Sequence, residues 1–230
     1  GFPIEGPYGN SWDAAFELYS FDESQPGQKW IQTPEWENGL DVLDGPFAGI
    51  AEPYEKYLAD DFLCQMSGPV TQISVIGSYL NDFYNPDIRP LFNLAIFADI
   101  PADQSPTGYS MPGDVLWTWY GYGEEIQIGE GFEQFYDPNQ DAIIGPDSQM
   151  FEYQFYFDPM EAFCQKEGTV YWLGVNHSFD LNGDGLVDFT DMNILGQEQW
   201  AYGWKSTPDN WNDDAVWVDI NTFGTGGQVV

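Results

Sequence analysis

The stretch QMFEYQFYF, residues 149–157, decides the fold. Phe151, Tyr153, Phe155 and Phe157 alternate with Met150, Glu152, Gln154 and Tyr156. A period of two puts each set on its own face, the pattern of a strand half-buried against a core. Working outward, VTQISVIGSYL (70–80), DVLWTWYGY (114–122), GTVYWLGVN (168–176) and DAVWVDI (214–220) are equally rich in Val, Ile and aromatics. Gly, Pro, Asn or Asp bound most of them, as turn residues should. LFNLAIFADI (91–100) is apolar on both faces and is expected to be a central strand. Helix signals are scarce: FTDMNILGQEQW (189–200) is the best, and PMEAFC (159–164) could form a single turn. The expectation is an all-β chain, a jelly-roll or Ig-like β-sandwich with an extended N-terminal strand and one short helix.

The chain has 230 residues, room for one large all-β domain or one domain with an appended arm. Hydrophobic residues make up 43% and aromatics 18%, so a sizeable core can form. Thirty-eight acidic against five basic residues give a net charge of −33. Such a surface repels nucleic acid and anionic lipid, and it attracts divalent cations or simply keeps the protein soluble. The absence of any run of 18 apolar residues argues against a membrane span. The first residue is Gly1, without a basic region and apolar stretch before it, so the chain reads as a mature exported form, extracellular or at the cell surface. Its two cysteines, Cys64 and Cys164, are expected to form one disulfide, with two buried free thiols as the alternative. A bridge would close a loop of about 100 residues and contribute on the order of 4–5 kcal/mol.

DLNGDGLVDFTDMNIL, residues 180–195, is of a different kind. Asp180, Asn182, Asp184, the Leu186 carbonyl, Asp188 and Asp191 fall at positions 1, 3, 5, 7, 9 and 12 of an EF-hand-type loop, with Gly185 at the sharp bend. Hard oxygen ligands at this spacing point to Ca²⁺. Aspartate at the last position, with a short helical signal after it, is similar to the calcium loop of dockerin modules, but the chain carries one such loop and a dockerin needs two. Calcium is therefore expected to act as a staple.

LADDFLC (58–64), GPVTQISVIGSYLND (68–82), ADIPADQSPTGYSMPGDVLW (98–117) and YGWKSTPDNWNDDAVW (202–217) resemble an uncharacterised family of secreted β-sandwich domains frequent in planctomycete surface and extracellular proteins. The resemblance implies fold and location, and no chemistry. Two departures stand out. Relatives lack the 180–195 segment, which reads as an insertion into a turn, and they continue beyond DDAVW to a closing strand of the type S-x-D-x-A-F. Here that pattern stands at the other end, as SWDAAF at 11–16.

The N-terminal region, 1–28, accordingly reads as a leader, a strand at 11–21 and a tether, DESQPGQ; residues 29–230 form the sandwich. On the strand, Trp12, Ala14, Phe16 and Leu18 share the more apolar face, which should enter a core. Either the strand closes its own sandwich, or it is a donor strand given to a neighbouring copy. The favoured expectation is exchange, making the protein a structural subunit of a pilus-like helical fibre. The alternative is a monomeric, calcium-stabilised carbohydrate-binding or adhesion module that recognises surface glycans. Trp200, Trp204, Trp211 and Trp217 would then form a stacking platform, unless they are core. ADD (59–61) and NDD (212–214) could make a second cation site or cap turns. The single histidine, His177, reads as a loop residue, and NHS (176–178) is a formal glycosylation sequon. No hydrolase motif occurs, so the chain is not expected to be an enzyme; a glycosidase is the most distant reading.

Overall fold

A computed structural model describes residues 2–3, 12–21, 26–43, 56–138, 140–179 and 201–219. Within them the strands are β1 (Phe2–Pro3), β2 (Asp13–Ala14), β3 (Phe16–Ser20), β4 (Gly27–Gln32), β5 (Leu40–Leu43), β6 (Lys56–Leu63), β7 (Gly68–Val70) and β8 (Gln72–Tyr79). They continue as β9 (Pro90–Ile100), β10 (Met111–Gly121), β11 (Glu124–Asp137), β12 (Ala142–Tyr156), β13 (Phe163–Gln165), β14 (Val170–Phe179), β15 (Tyr202–Thr207) and β16 (Val216–Asp219). One 3-10 turn, Leu80–Asp82, follows β8. The chain is an all-β sandwich, as the alternation in 149–157 requires.

One sheet has the order β1-β16-β6-β14-β9-β10, the other β2-β15-β5-β11-β12-β8-β3-β4. Strand β9, apolar on both faces, has a neighbour on each side, as expected of a central strand. The two sheets face each other across a core of aromatics. Phe92 of β9 lies 4.9 Å from the Tyr153 ring and 5.1 Å from the Phe155 ring, both on β12. Phe151, Tyr153, Phe155 and Phe157 are buried, Glu152 and Gln154 are half-buried and Tyr156 is exposed, so the period-two reading fits except at Met150, which is buried too. A smaller cluster, Tyr57, Ala59, Ala95, Phe97, Trp172 and Val216, lies apart from the main core. Its β6, β9 and β14 members alternate with main-core residues on those strands, which places it on the opposite face of the six-stranded sheet.

In the second sheet β15 also pairs with β8. The path β15-β5-β11-β12-β8 therefore returns to β15 and closes a ring, with β5 and β11 parallel and its other pairs antiparallel. Gly77 and Gly203 permit the closure. A Cβ on Gly203 would lie 2.5 Å from the Phe135 ring, and one on Gly77 would collide with the Gly203 carbonyl.

The N-terminal strand lies in the chain's own eight-stranded sheet. Phe16, Glu17, Leu18 and Tyr19 pair with Val75, Ser74, Ile73 and Gln72 of β8. On its other side β3 pairs antiparallel with β4, Phe16 opposite Gln32 and Ser20 opposite Gly27. The expected tether, DESQPGQ, runs into the sheet at its end, since Gly27 and Gln28 already belong to β4; residues 22–25 lie outside the described ones. PMEAFC begins as a turn, with Glu161 and Ala162 N–H donating to the Asp158 carbonyl, and ends in β13. The expected helix after the calcium loop lies outside the described residues. Among the described residues no helix is long and apolar enough to cross a membrane.

Candidate functional site

Two arrangements carry more polar chemistry than a sandwich core needs. The first sits in the closed ring. Asp41 on β5, Glu133 on β11, Asp147 on β12, Ser78 on β8 and Lys205 on β15 are all buried, so each ring strand contributes one polar side chain. Lys205 and Asp41 are paired positions on adjacent strands, and Lys205 Nζ lies 3.6 Å from Asp41 Oδ2 with both side chains 0% exposed. Lys205 Nζ also touches Glu133 Oε1. None of the carboxyl oxygens of Asp41, Glu133 and Asp147 has a hydrogen bond of ordinary geometry, nor has Ser78 Oγ or Lys205 Nζ. Phe135, paired with Asp41, and Leu43, Leu80 and Ala201 form an apolar cluster on the same ring strands and their ends.

Burial dominates the electrostatics here. It pushes the Asp41 carboxyl up to about 7, although Lys205 pulls part of the way back. Burial and the charge of Asp41 hold Glu133 at about 8, and burial with the charge of Glu133 holds Asp147 at about 7. The three carboxyls come within 4.8 Å of one another, a spacing a divalent ion can bridge. A lysine nitrogen already stands against Asp41 and Glu133, however, and offsets part of their charge. Local sequence reasoning missed all of these residues. The available signal was a charged residue inside an apolar strand: Asp41 within LDVL and Lys205 within YGWKST.

The second arrangement is the slot of the N-terminal strand. Phe16 and Leu18 are 0% exposed, Ala14 is buried and Trp12 packs partly buried against the core, so the predicted apolar face does enter a core. The slot is polar at one end. Ala14 N–H donates to Asp60 Oδ2 at 2.6 Å, Gln32 Nε2 to the same oxygen at 3.0 Å, and Trp211 N–H to Asp13 Oδ2 at 2.7 Å. Trp204 Nε1 donates to the Ala15 carbonyl at 2.7 Å. ADD and NDD do meet at this end: Asn212 Nδ2 donates to Asp61 Oδ2. Burial raises Asp13 to about 7 and Asp61 to about 8, and it raises Asp60, with Asp13 and Asp61 adding repulsion. These acids accept hydrogen bonds from the strand and the loops, in the manner of the capping alternative.

Other expectations need correction. Cys64 and Cys164 are both free. Cys64 is buried and its thiol donates to the Met66 carbonyl at 3.4 Å, whereas Cys164 is exposed on β13. His177 is no loop residue; it is 8% exposed within β14, its ring edge-on to Phe179 and Tyr202. For the tryptophans the core reading fits rather than the stacking platform: Trp204 is core, and Trp211 and Trp217 pack partly buried against that core. Asp180, Asn182, Asp184, Leu186, Asp188, Asp191 and Trp200 lie outside the described residues.

The family described as Domain of unknown function (DUF7901) matches residues 28–228. Neither the curated proteins nor the solved structures yield a match.

Proposed function

The chain belongs to the family described as Domain of unknown function (DUF7901), and from that premise we propose that it is a non-catalytic structural subunit of an extracellular, pilus-like fibre, joined to its neighbour by exchange of the N-terminal strand. One observation carries the reading. The strand that fills the slot, residues 13–20, lies outside the span of the family unit, 28–228, whereas β8 and β15, which it pairs with, lie inside it. The unit therefore presents an acceptor edge whose complement is appended. A slot without its strand leaves unpaired N–H and C=O groups beside an apolar groove, and an incoming strand satisfies both.

In the closed chain the complement is the chain's own. An exchanged assembly remakes the same register with the neighbour's β8 and β15, so the contacts cancel and the cost is confined to opening the 21–26 connection. Such a contact is head-to-tail; unless the rotation closes a ring, it propagates into a helical filament. Calcium held at 180–191 would brace the subunit without joining subunits.

Deletion of residues 1–21 tests the proposal. The truncated subunits should stay soluble, fail to form filaments seen by electron microscopy, and gain stability from a synthetic 11–21 peptide. Filaments formed by the truncated protein would defeat it.

A further inference from the structure

Of the five basic residues in this chain, Lys205 sits in the ring with no exposure, against two carboxyls and facing a third. An ion pair is an expensive use of such a place. Burying the charges costs several kcal/mol per ion, and here every carboxyl oxygen and the lysine nitrogen lack well-formed hydrogen bonds. We propose that Lys205 and Asp41 condense into an intramolecular amide that ties β15 to β5, with Glu133 as the proton carrier.

The geometry suits the reaction. Lys205 and Asp41 are paired positions on adjacent strands, and the nitrogen is 3.6 Å from the nearer carboxyl oxygen of Asp41. Reaction needs a further approach to Cγ, which the flexible lysine stem can supply. Glu133 touches the same nitrogen and its carboxyl faces that of Asp41, so one group reaches both reactants. Asp147 is joined to the group mainly through Glu133 and Lys205, and Ser78 Oγ stands against the Asp41 and Asp147 carboxyls.

The steps balance without a co-reactant. Glu133, itself held protonated by burial, first passes its proton to the facing Asp41 carboxyl; as a carboxylate it then takes a proton from the Lys205 ammonium, and the freed lone pair attacks Cγ of the neutral, electrophilic Asp41 acid. The tetrahedral adduct loses its hydroxyl, which takes the proton from Glu133 and leaves as water, and the Glu133 carboxylate so formed takes the extra proton from the nitrogen. The sum is one ammonium plus one carboxylate giving one amide plus one water. The product replaces two buried charges with a neutral group, leaving Glu133 and Asp147 as acids able to hydrogen-bond to it.

Both partners lie within 28–228, so the bond stays inside one chain whether or not the N-terminal strand is exchanged. The test is the intact mass of the full-length protein, purified folded, then denatured and reduced. It should be lighter than the sequence mass by one water, and digestion should yield a branched peptide joining residues 41 and 205. Glu133→Gln, with circular dichroism showing the fold retained, should restore the full mass. Asp41→Asn should instead lose one ammonia, because the same carbon then expels an amide nitrogen. An unchanged wild-type mass, with or without a metal ion bound at the ring, or a bond located on Glu133 or Asp147, would overturn the proposal.

Discussion

The Ala14 backbone N–H donates to Asp60 Oδ2 at 2.6 Å, which ties the N-terminal strand to an acid on the opposite sheet. Asp60 is fully buried and shares its surroundings with Asp13 and Asp61, and Asp99, Asp213 and Asp214 add negative charge around them. The strand is therefore held by a group of carboxyls that repel each other when ionised. Docking of this strand and protonation of this group are linked.

The sign of that linkage is unusual for acids. Asp13 and Asp61 keep their protons in the folded protein up to about 7 and 8, against 3.8 for a free aspartate. Between those limits the folded state binds more protons than the unfolded one, so stability falls as pH rises. Chemical denaturation should show the greatest stability near pH 4 and a steady loss toward pH 8. Asp13→Asn removes one charge and keeps a hydrogen-bond acceptor for Trp211, so it should flatten that slope and stabilise the protein at pH 8 by roughly 1–3 kcal/mol. A variant as pH-sensitive as the parent would contradict the link.

The two thiols should behave differently. Cys164 is exposed, while Cys64 is buried and its thiol is raised by burial. A thiol-specific reagent should label Cys164 quickly in the native protein and Cys64 only on unfolding. Peptide mapping without reduction that recovers the two as a disulfide would contradict the free pairing.

Calcium should raise the melting temperature by mass action, since the unfolded loop has little affinity. Asp184→Ala should remove most of that gain while leaving the metal-free melting temperature close to the parent's. Calorimetry showing no binding to EDTA-cleared protein would remove the 180–191 ligand set from the account.

How much was legible depended on whether the signal was local. Strand β12 announced itself because one face packs on the core and the other does not, so its residues alternate. Strand β6 hid, since Asp60 and Asp61 interrupt KYLADDFL with acids that are nonetheless buried. Strand β11 hid because EEIQIGEGFEQFYD carries glycines and acids along a face left open to solvent. The strand expected at 11–21 stands as β2 and β3, with Ala14, Phe16 and Leu18 buried and Asp13 and Ala15 of the other face buried as well, but its partners in β4, β8 and β15 depend on pairing across the chain. Lys205 meets Asp41, Glu133 and Asp147 only once the ring closes, and no local pattern reports that closure. The calcium ligands expected at 180–191 rest on sequence spacing alone, because those residues lie outside the described ones.

Strand exchange is tested most directly by asking whose β8 receives each β3. Glu17 and Ser74 are paired positions on those strands. Glu17→Cys with Ser74→Cys, in a Cys64→Ser, Cys164→Ser background, places a thiol on each side of that contact. After assembly and mild oxidation, a denaturing gel run without reductant should show a ladder of linked chains that collapses to one band on reduction. A single monomer band with both thiols consumed would mean that every strand closes its own sandwich, and would contradict the account.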